Sequence, residues 1–252
     1  MIIDHTKVKL GRLPVRRDKR TLKLAKYLQL APPIPATDWS HGITDWGMMG
    51  NNFLGDCTCA AVAHAIQTWT ANTAGEVTLP DTTVIQAYSD WCGYNPSNPS
   101  SDQGGVEVDV LSQWRSSGLA GHSLLAYADP DPKNIVHVQQ AIRLYGGVYI
   151  GIGLPRTAQN QDVWDVVGNP LVDPDSQIYS WGGHAVFVIA YQNHGETLTC
   201  ISWGKLITMT KAFWLAYCDE SHCLFSRDWL AHFGGNAALI TALEADLQAV
   251  TG

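Results

Sequence analysis

The residues best suited by type and spacing to do chemistry are Cys57, in Gly55-Asp56-Cys57-Thr58-Cys59-Ala60-Ala61, and His184, in Gly182-Gly183-His184-Ala185-Val186. Cys57 stands between a glycine-bearing loop and an alanine-rich apolar run, 57–71, that reads as a buried helix. A thiol at a helix N-terminus meets unpaired backbone N–H groups and the positive end of the macrodipole, and both favour the thiolate. His184 opens the apolar run 185–191, which has the composition of a buried strand and would hold an imidazole rigidly. A cysteine nucleophile paired with a histidine also needs donors for a developing oxyanion and a group that orients the imidazole. The backbone N–H of Cys57 and the side-chain amide of Asn51 are the candidate donors, with Asn52 the substitute if the loop is displaced by one residue.

The elements that must position these groups change character along the chain. Residues 84–91, 106–117 and 135–145 read as helices, the second with Val110, Leu111 and Trp114 at helical spacing. After Gly146-Gly147 come apolar stretches at 148–154, 185–191, 197–203 and 207–213, which read as strands. Helices first and strands second argue for an α+β fold of two lobes. Residues 1–35 form an arm with a short helix over 21–28 and an extended proline-rich end, 36–235 the main domain, and 236–250 an amphipathic helix packed back on it. Residues 95–105 read as a plain surface loop, and 155–180 as a long loop beside His184 in which Trp164, together with Trp181 just beyond it, is a candidate wall for a substrate cleft.

Composition narrows the function classes. With 252 residues, 46% of them hydrophobic, the chain buries a large core without crosslinks. A formal charge of −7 argues against tracking nucleic-acid phosphates, and the basic run at 16–20 reads as a solvated segment. No stretch reaches the roughly 18 apolar residues of a membrane span, and the N-terminus lacks the order of a secretory signal, so a cytoplasmic protein is expected. Most of the six cysteines are then free thiols. A metal site from Cys57, Cys59, Cys218, His222 and Cys223 has an uncommon ligand spacing, so neither a metal nor a cofactor is expected.

With these motifs in view, the chain resembles the papain-like cysteine peptidases, in which a helix-borne cysteine comes early and a histidine follows about 130 residues later. The resemblance covers roughly residues 35–204. It implies a papain-like fold, helical lobe before antiparallel β lobe, with Cys57 and His184 facing each other across the cleft. The family's oxyanion-hole glutamine falls on Asn51, and its Asn-Ser-Trp-Gly element on Ile201-Ser202-Trp203-Gly204, so Trp203 would shield the imidazole from water. There are departures. Ile201 replaces the asparagine that orients the histidine, and Ser202 takes that role only if a bulge turns it inward. Leu54 replaces a disulfide cysteine, and Asp56 is expected to face solvent or cap the helix. The segment before the cleft-lining residues is short, which argues against control by a cleaved pro-segment.

The implied chemistry is thiolate attack on an amide or other acyl carbonyl to give a thioester. With water as acceptor the protein is a peptidase or amidohydrolase, and with a bound amine it is an acyltransferase or amide-forming enzyme; an inactive binding module is the third reading. The expected partner is a peptide or acyl-amide substrate, free or carrier-bound. Nucleic acid and membrane are not expected, and the oligomeric state stays open.

Overall fold

The computed structural model describes residues 4–17, 21–28, 34–233 and 237–251. Two short strands, β1 (Leu22–Lys23) and β2 (Thr37–Asp38), precede helices α1 (Cys57–Thr73), α2 (Asp81–Cys92) and α3 (Glu107–Ser117). There follow β3 (Leu124–Asp129), α4 (Ile135–Tyr145), β4 (Val148–Leu154), β5 (Val163–Trp164), β6 (Gly182–Gln192), β7 (Thr197–Ser202) and β8 (Lys205–Thr210). The chain ends with α5 (Lys211–Tyr217), β9 (Cys218–Ser226), α6 (Arg227–Phe233) and α7 (Ala237–Thr251). The strands form one mixed sheet in the order β1-β3-β9-β4-β6-β7-β8-β5, with β2 on β6.

Strand alternation divides the core between the two faces of this sheet. Tyr149, Ala185, Phe187 and Ile189 point toward α1, α2 and α3, whereas Val148, Ile150, Ile152, Val186 and Val188 point toward α4 and α5. A strand covered on both faces reads as a continuous apolar run, which is why β4 and β6 stand out in the sequence. Each large side chain buried this way, Phe187 or Ile189 for example, contributes roughly 1.5–3 kcal/mol. Helix α1 has no exposed face, since every residue from Cys57 to Thr70 is buried. Its small side chains allow this close packing, and the Tyr149 hydroxyl donates to the Thr58 carbonyl at 3.0 Å, tying its first turn to β4.

Several sequence expectations need correction. Residues 207–213 do not form one strand: β8 stops at Thr210, whose side chain accepts from the Phe213 N–H at 3.0 Å and caps α5. Residues 21–28 hold the two-residue β1 and a single 3-10 turn in place of a helix. Residues 95–105 are more than a surface loop, because Asp102 accepts from the Gly55 N–H at 3.0 Å and from the Tyr88 hydroxyl at 2.7 Å, fixing the approach to Cys57. Residues 18–20 of the basic run and 29–33 of the proline-rich stretch lie outside the described residues.

Candidate active site

Cys57 is the first residue of α1 and His184 the third of β6, so both candidates sit where their elements begin. The Cys57 thiol meets two backbone donors, the N–H of Ala185, next to His184, and the N–H of Gly11 from the N-terminal arm. It is 1% exposed, and burial pushes its pKa up to about 12 despite those donors. Burial also lowers the imidazole of His184 to about 3, with the nearby His64 adding to the shift. Both groups therefore rest neutral in this conformation.

The surroundings of His184 engage one ring nitrogen and leave the other open. Its Nε2 lies 2.7 Å from the Ser202 hydroxyl, while Nδ1 has no hydrogen-bond partner. A proton on Nε2 donated to Ser202 leaves the Nδ1 lone pair free to accept one. The indole of Trp203 lies flat on the ring, with centroids 4.2 Å apart and planes 15° apart. The Trp203 N–H in turn donates to the Lys9 carbonyl at 3.0 Å. A bulge at Ser202 turns out to be unnecessary. The β7–β8 register runs without a shift through Cys200↔Ile207, Ile201↔Leu206 and Ser202↔Lys205. Ordinary alternation sends Ile201 into the apolar cluster under α1 and Ser202 to the side of His184.

The loop before Cys57 differs from expectation at one residue. Asp56 neither faces solvent nor caps α1: it is fully buried, and neither carboxylate oxygen has a hydrogen-bond partner. Burial raises its pKa well above the usual carboxylate value, and any charge it carries opposes the thiolate of Cys57. Asn51 is buried close by, and its amide donates to the Leu54 carbonyl at 3.0 Å. Asn52 is exposed. Trp164, expected at a cleft wall, is fully buried and stacks on Phe213, so it belongs to the core; Trp181 is only partly buried and tilts against Trp203.

A feature sequence reasoning missed is the course of the arm. Residues 9–13 run between the N-terminus of α1 and the start of β6. The Lys9 N–H donates to the Asn51 carbonyl at 3.0 Å, Arg12 N–H to Gly183 O at 3.1 Å, and Leu13 N–H to Gly105 O at 2.9 Å, while Gly11 O accepts from Gly105 N–H at 2.8 Å. At Gly11 the fit leaves no room for a side chain, because a Cβ there would lie 1.7 Å from the Gly55 carbonyl oxygen. The signal for this was the spread of glycines at 11, 55, 104–105 and 183, at least one on each strip of backbone that meets the others.

The cysteine-rich metal set is not brought together. Among the described residues, the cluster within reach of a single ion is Glu107, Glu220 and His222, with no cysteine in it. All six cysteines are free thiols.

Taken together, the sheet, the buried helix α1 and the placement of Cys57 and His184 at its edge define a papain-like fold. The particular likeness is to solved cysteine proteases. Xylellain, from Xylella fastidiosa, matches with a TM-score of 0.65 at 14% identity, over 87% of this chain and 96% of that one. Procathepsin L 3 of the Tenebrio molitor larval midgut matches at 0.55 and 14% identity, over 87% and 75%. The proform of Amb a 11, a ragweed pollen cysteine protease, matches at 0.56 and 14%, over 79% and 67%. No protein-family model and no curated protein sequence matches the chain.

Proposed function

We propose that this protein is a papain-like thiol hydrolase, a peptidase or amidohydrolase, working in a cleft between a helical and a β lobe. The observation that carries this reading is the imidazole of His184: oriented by Ser202, covered by Trp203, and left with an unpartnered Nδ1 beside the peptide whose N–H reaches the Cys57 thiol. In the reaction, the Cys57 proton passes to His184 Nδ1 and the thiolate attacks the substrate carbonyl carbon. The developing oxyanion takes the backbone N–H of Cys57 and, once its bond to Leu54 is exchanged, the amide of Asn51. Collapse of the tetrahedral adduct breaks the C–N bond, and the Nδ1 proton leaves with the amine. Water then hydrolyses the thioester, with His184 taking its proton. Ser202 acts as a positioning residue in the role that the family's asparagine holds. Residues 9–13 bond across from Asn51 to Gly183 over this pair, so substrate entry displaces the arm, and the neutral Cys57 and His184 belong to the closed conformation. Two of the similar proteases were solved as a pro-enzyme and a proform, which accords with a resting state of this kind.

The test is mass spectrometry of the protein incubated with a panel of peptidyl and acyl amides, with and without added amines. A Cys57 acyl adduct that turns over in water and is absent from Cys57→Ala supports hydrolysis. An adduct that persists until an amine is added makes the protein an acyltransferase, and no adduct at any cysteine refutes the enzyme reading.

A further inference from the structure

Two thiols that the chemistry above does not use meet at the first turn of α1. Cys59 is the third residue of α1 and is completely buried, whereas Cys92 is the last residue of α2 and is partly exposed. Cys59 belongs to the apolar cluster shared by the two helices, and Cys92 packs against its edge. The Cys92 sulfur is also enclosed from the side of residue 105. A Cβ there would lie 2.8 Å from that sulfur and 2.6 Å from the Thr58 hydroxyl, so a glycine at 105 leaves the space in which the thiol approaches α1. The two cysteine side chains are in contact, and each perturbs the ionisation of the other. We propose that Cys59 and Cys92 are a redox modification site, in which a hydroperoxide oxidises Cys92 and Cys59 then closes a reversible disulfide between α1 and α2. Neither thiol is Cys57, and the site does not depend on the role of that residue.

The two thiols divide the chemistry by position. The other five cysteines are buried, so an oxidant arriving from solvent reaches Cys92 first. Contact with Cys59 lowers the Cys92 pKa, against its own partial burial and the charge of Asp109, and a larger thiolate fraction speeds attack on a peroxide. Burial raises the pKa of Cys59 well above the ordinary thiol value, and the contact with Cys92 adds to the shift, so Cys59 keeps its proton until the neighbouring sulfur has become electrophilic. In the first step the Cys92 thiolate attacks one oxygen of hydrogen peroxide. An S–O bond forms, the O–O bond breaks, and the departing hydroxide takes up the proton that the thiol released. The Cys59 sulfur then attacks the sulfur of the Cys92 sulfenic acid. The S–S bond forms, the S–O bond breaks, and the leaving hydroxide departs as water with the Cys59 proton. The two thiols lose two electrons and two protons, and the peroxide becomes two waters. A partner already in contact captures the sulfenic acid before a second peroxide carries it to the irreversible sulfinic state. The resulting bridge ties the end of α2 to the helix that carries Cys57.

The test treats the native chain with hydrogen peroxide, unfolds it in urea with N-ethylmaleimide to block the remaining thiols, and maps its peptides without reduction. A Cys59–Cys92 crosslinked peptide is expected, with a loss of two hydrogens from the intact mass, and dithiothreitol should reverse both. In Cys59→Ala the oxidation should stop at the sulfenic acid of Cys92, and dimedone labelling there should exceed that of the native chain by on the order of tenfold. The oxidised native chain should melt at a higher temperature than the reduced one, as a crosslink that fits the folded geometry requires. Crosslinks scattered over other cysteine pairs or joining two chains overturn the site, as does Cys92 carried to the sulfinic acid while Cys59 is recovered as its maleimide adduct. Equal dimedone labelling of Cys92 with and without Cys59, or a lower melting temperature on oxidation, also overturns it. The peptide map and the melt use the native chain alone, so they give a result even where Cys59→Ala does not fold.

Discussion

Ser202 holds the site's geometry through one hydrogen bond, 2.7 Å to His184 Nε2. Its removal leaves a buried donor unpaired and frees the ring to adopt the wrong tautomer, at a cost of about 1–3 kcal/mol. Ser202→Ala is expected to lower kcat/KM roughly tenfold to a hundredfold on this scale. Ser202→Thr restores most of it, and the acid limb of the pH–rate profile shifts with the hydroxyl; an unchanged profile in Ser202→Ala would show the contact to be structural only. Asp56 gives a second residue-level outcome. Its folded pKa stands well above its unfolded one, so the folded state keeps a proton that the unfolded state loses. Its stabilisation is complete below the unfolded value and fades as pH rises toward the folded one, by about 1.4 kcal/mol per pH unit. Asp56→Asn removes this slope. Urea midpoints between pH 5 and 8 should fall less steeply in the variant, and parallel curves would contradict the assignment. At this scale the sequence was informative where a motif carried the residue: Cys57, His184 and Trp203 could each be named as candidates. The contact of Ser202 with His184 was not legible, because the choice between two adjacent strand residues depends on which face each takes, and the apolar cluster that claims Ile201 assembles only in the fold.

Among the elements, α1, β4 and β6 were legible because each is buried continuously and reads as an apolar run. Strand β9 was not, although it lies in the middle of the sheet between β3 and β4. Its Cys218-Asp219-Glu220-Ser221-His222-Cys223 looks like a polar turn. Those charges are tolerable in a buried strand only because Arg12, far away in sequence, pairs with two of them, and His222 bridges Glu220 and Asp129. The same long-range dependence governs the arm. Its track is made from backbone contacts on three separate segments, at 51–55, 104–105 and 183, none of which carries a pattern of its own. An element-level expectation follows: Arg12→Ala strips the counter-charge from a buried carboxylate cluster and should destabilise the fold by about 3–5 kcal/mol, seen as a lower urea midpoint. A shift under 1 kcal/mol would mean that solvent already reaches these carboxylates.

For the whole molecule, buried ionisable groups set opposite limits on stability. His184 and His64 are lowered to about 3 and about 4 by burial, so they stay neutral in the folded chain while the unfolded chain takes up protons below its ordinary histidine value of 6.5. Their contribution is present above that value and is lost as pH falls through the window from 6.5 to about 3. His222, raised to about 10, acts in the reverse sense: its contribution is complete below 6.5 and disappears as pH rises through 10. Thermal melts should therefore show His64→Gln relieving part of the acid-side loss, while His222→Gln lowers stability at pH 7 and flattens the alkaline side.

The most direct test of the Cys57–His184 assignment is the rate of alkylation of each cysteine, read by intact mass and peptide mapping, in the native chain, in Gly11→Ala and in Gly11→Ala with His184→Ala. In the native chain Cys92 should react first, being partly exposed where the other five are buried, with a thiol pKa lowered through its contact with Cys59, while Cys57 stays protected beneath the arm. In Gly11→Ala, alkylation of Cys57 should rise at least tenfold and remain fast well below pH 8, and loss of His184 should slow it again. Alkylation that stays at Cys92 in all three proteins, or a Cys57 rate indifferent to His184, would contradict an activated thiol and leave a papain-like scaffold without its chemistry.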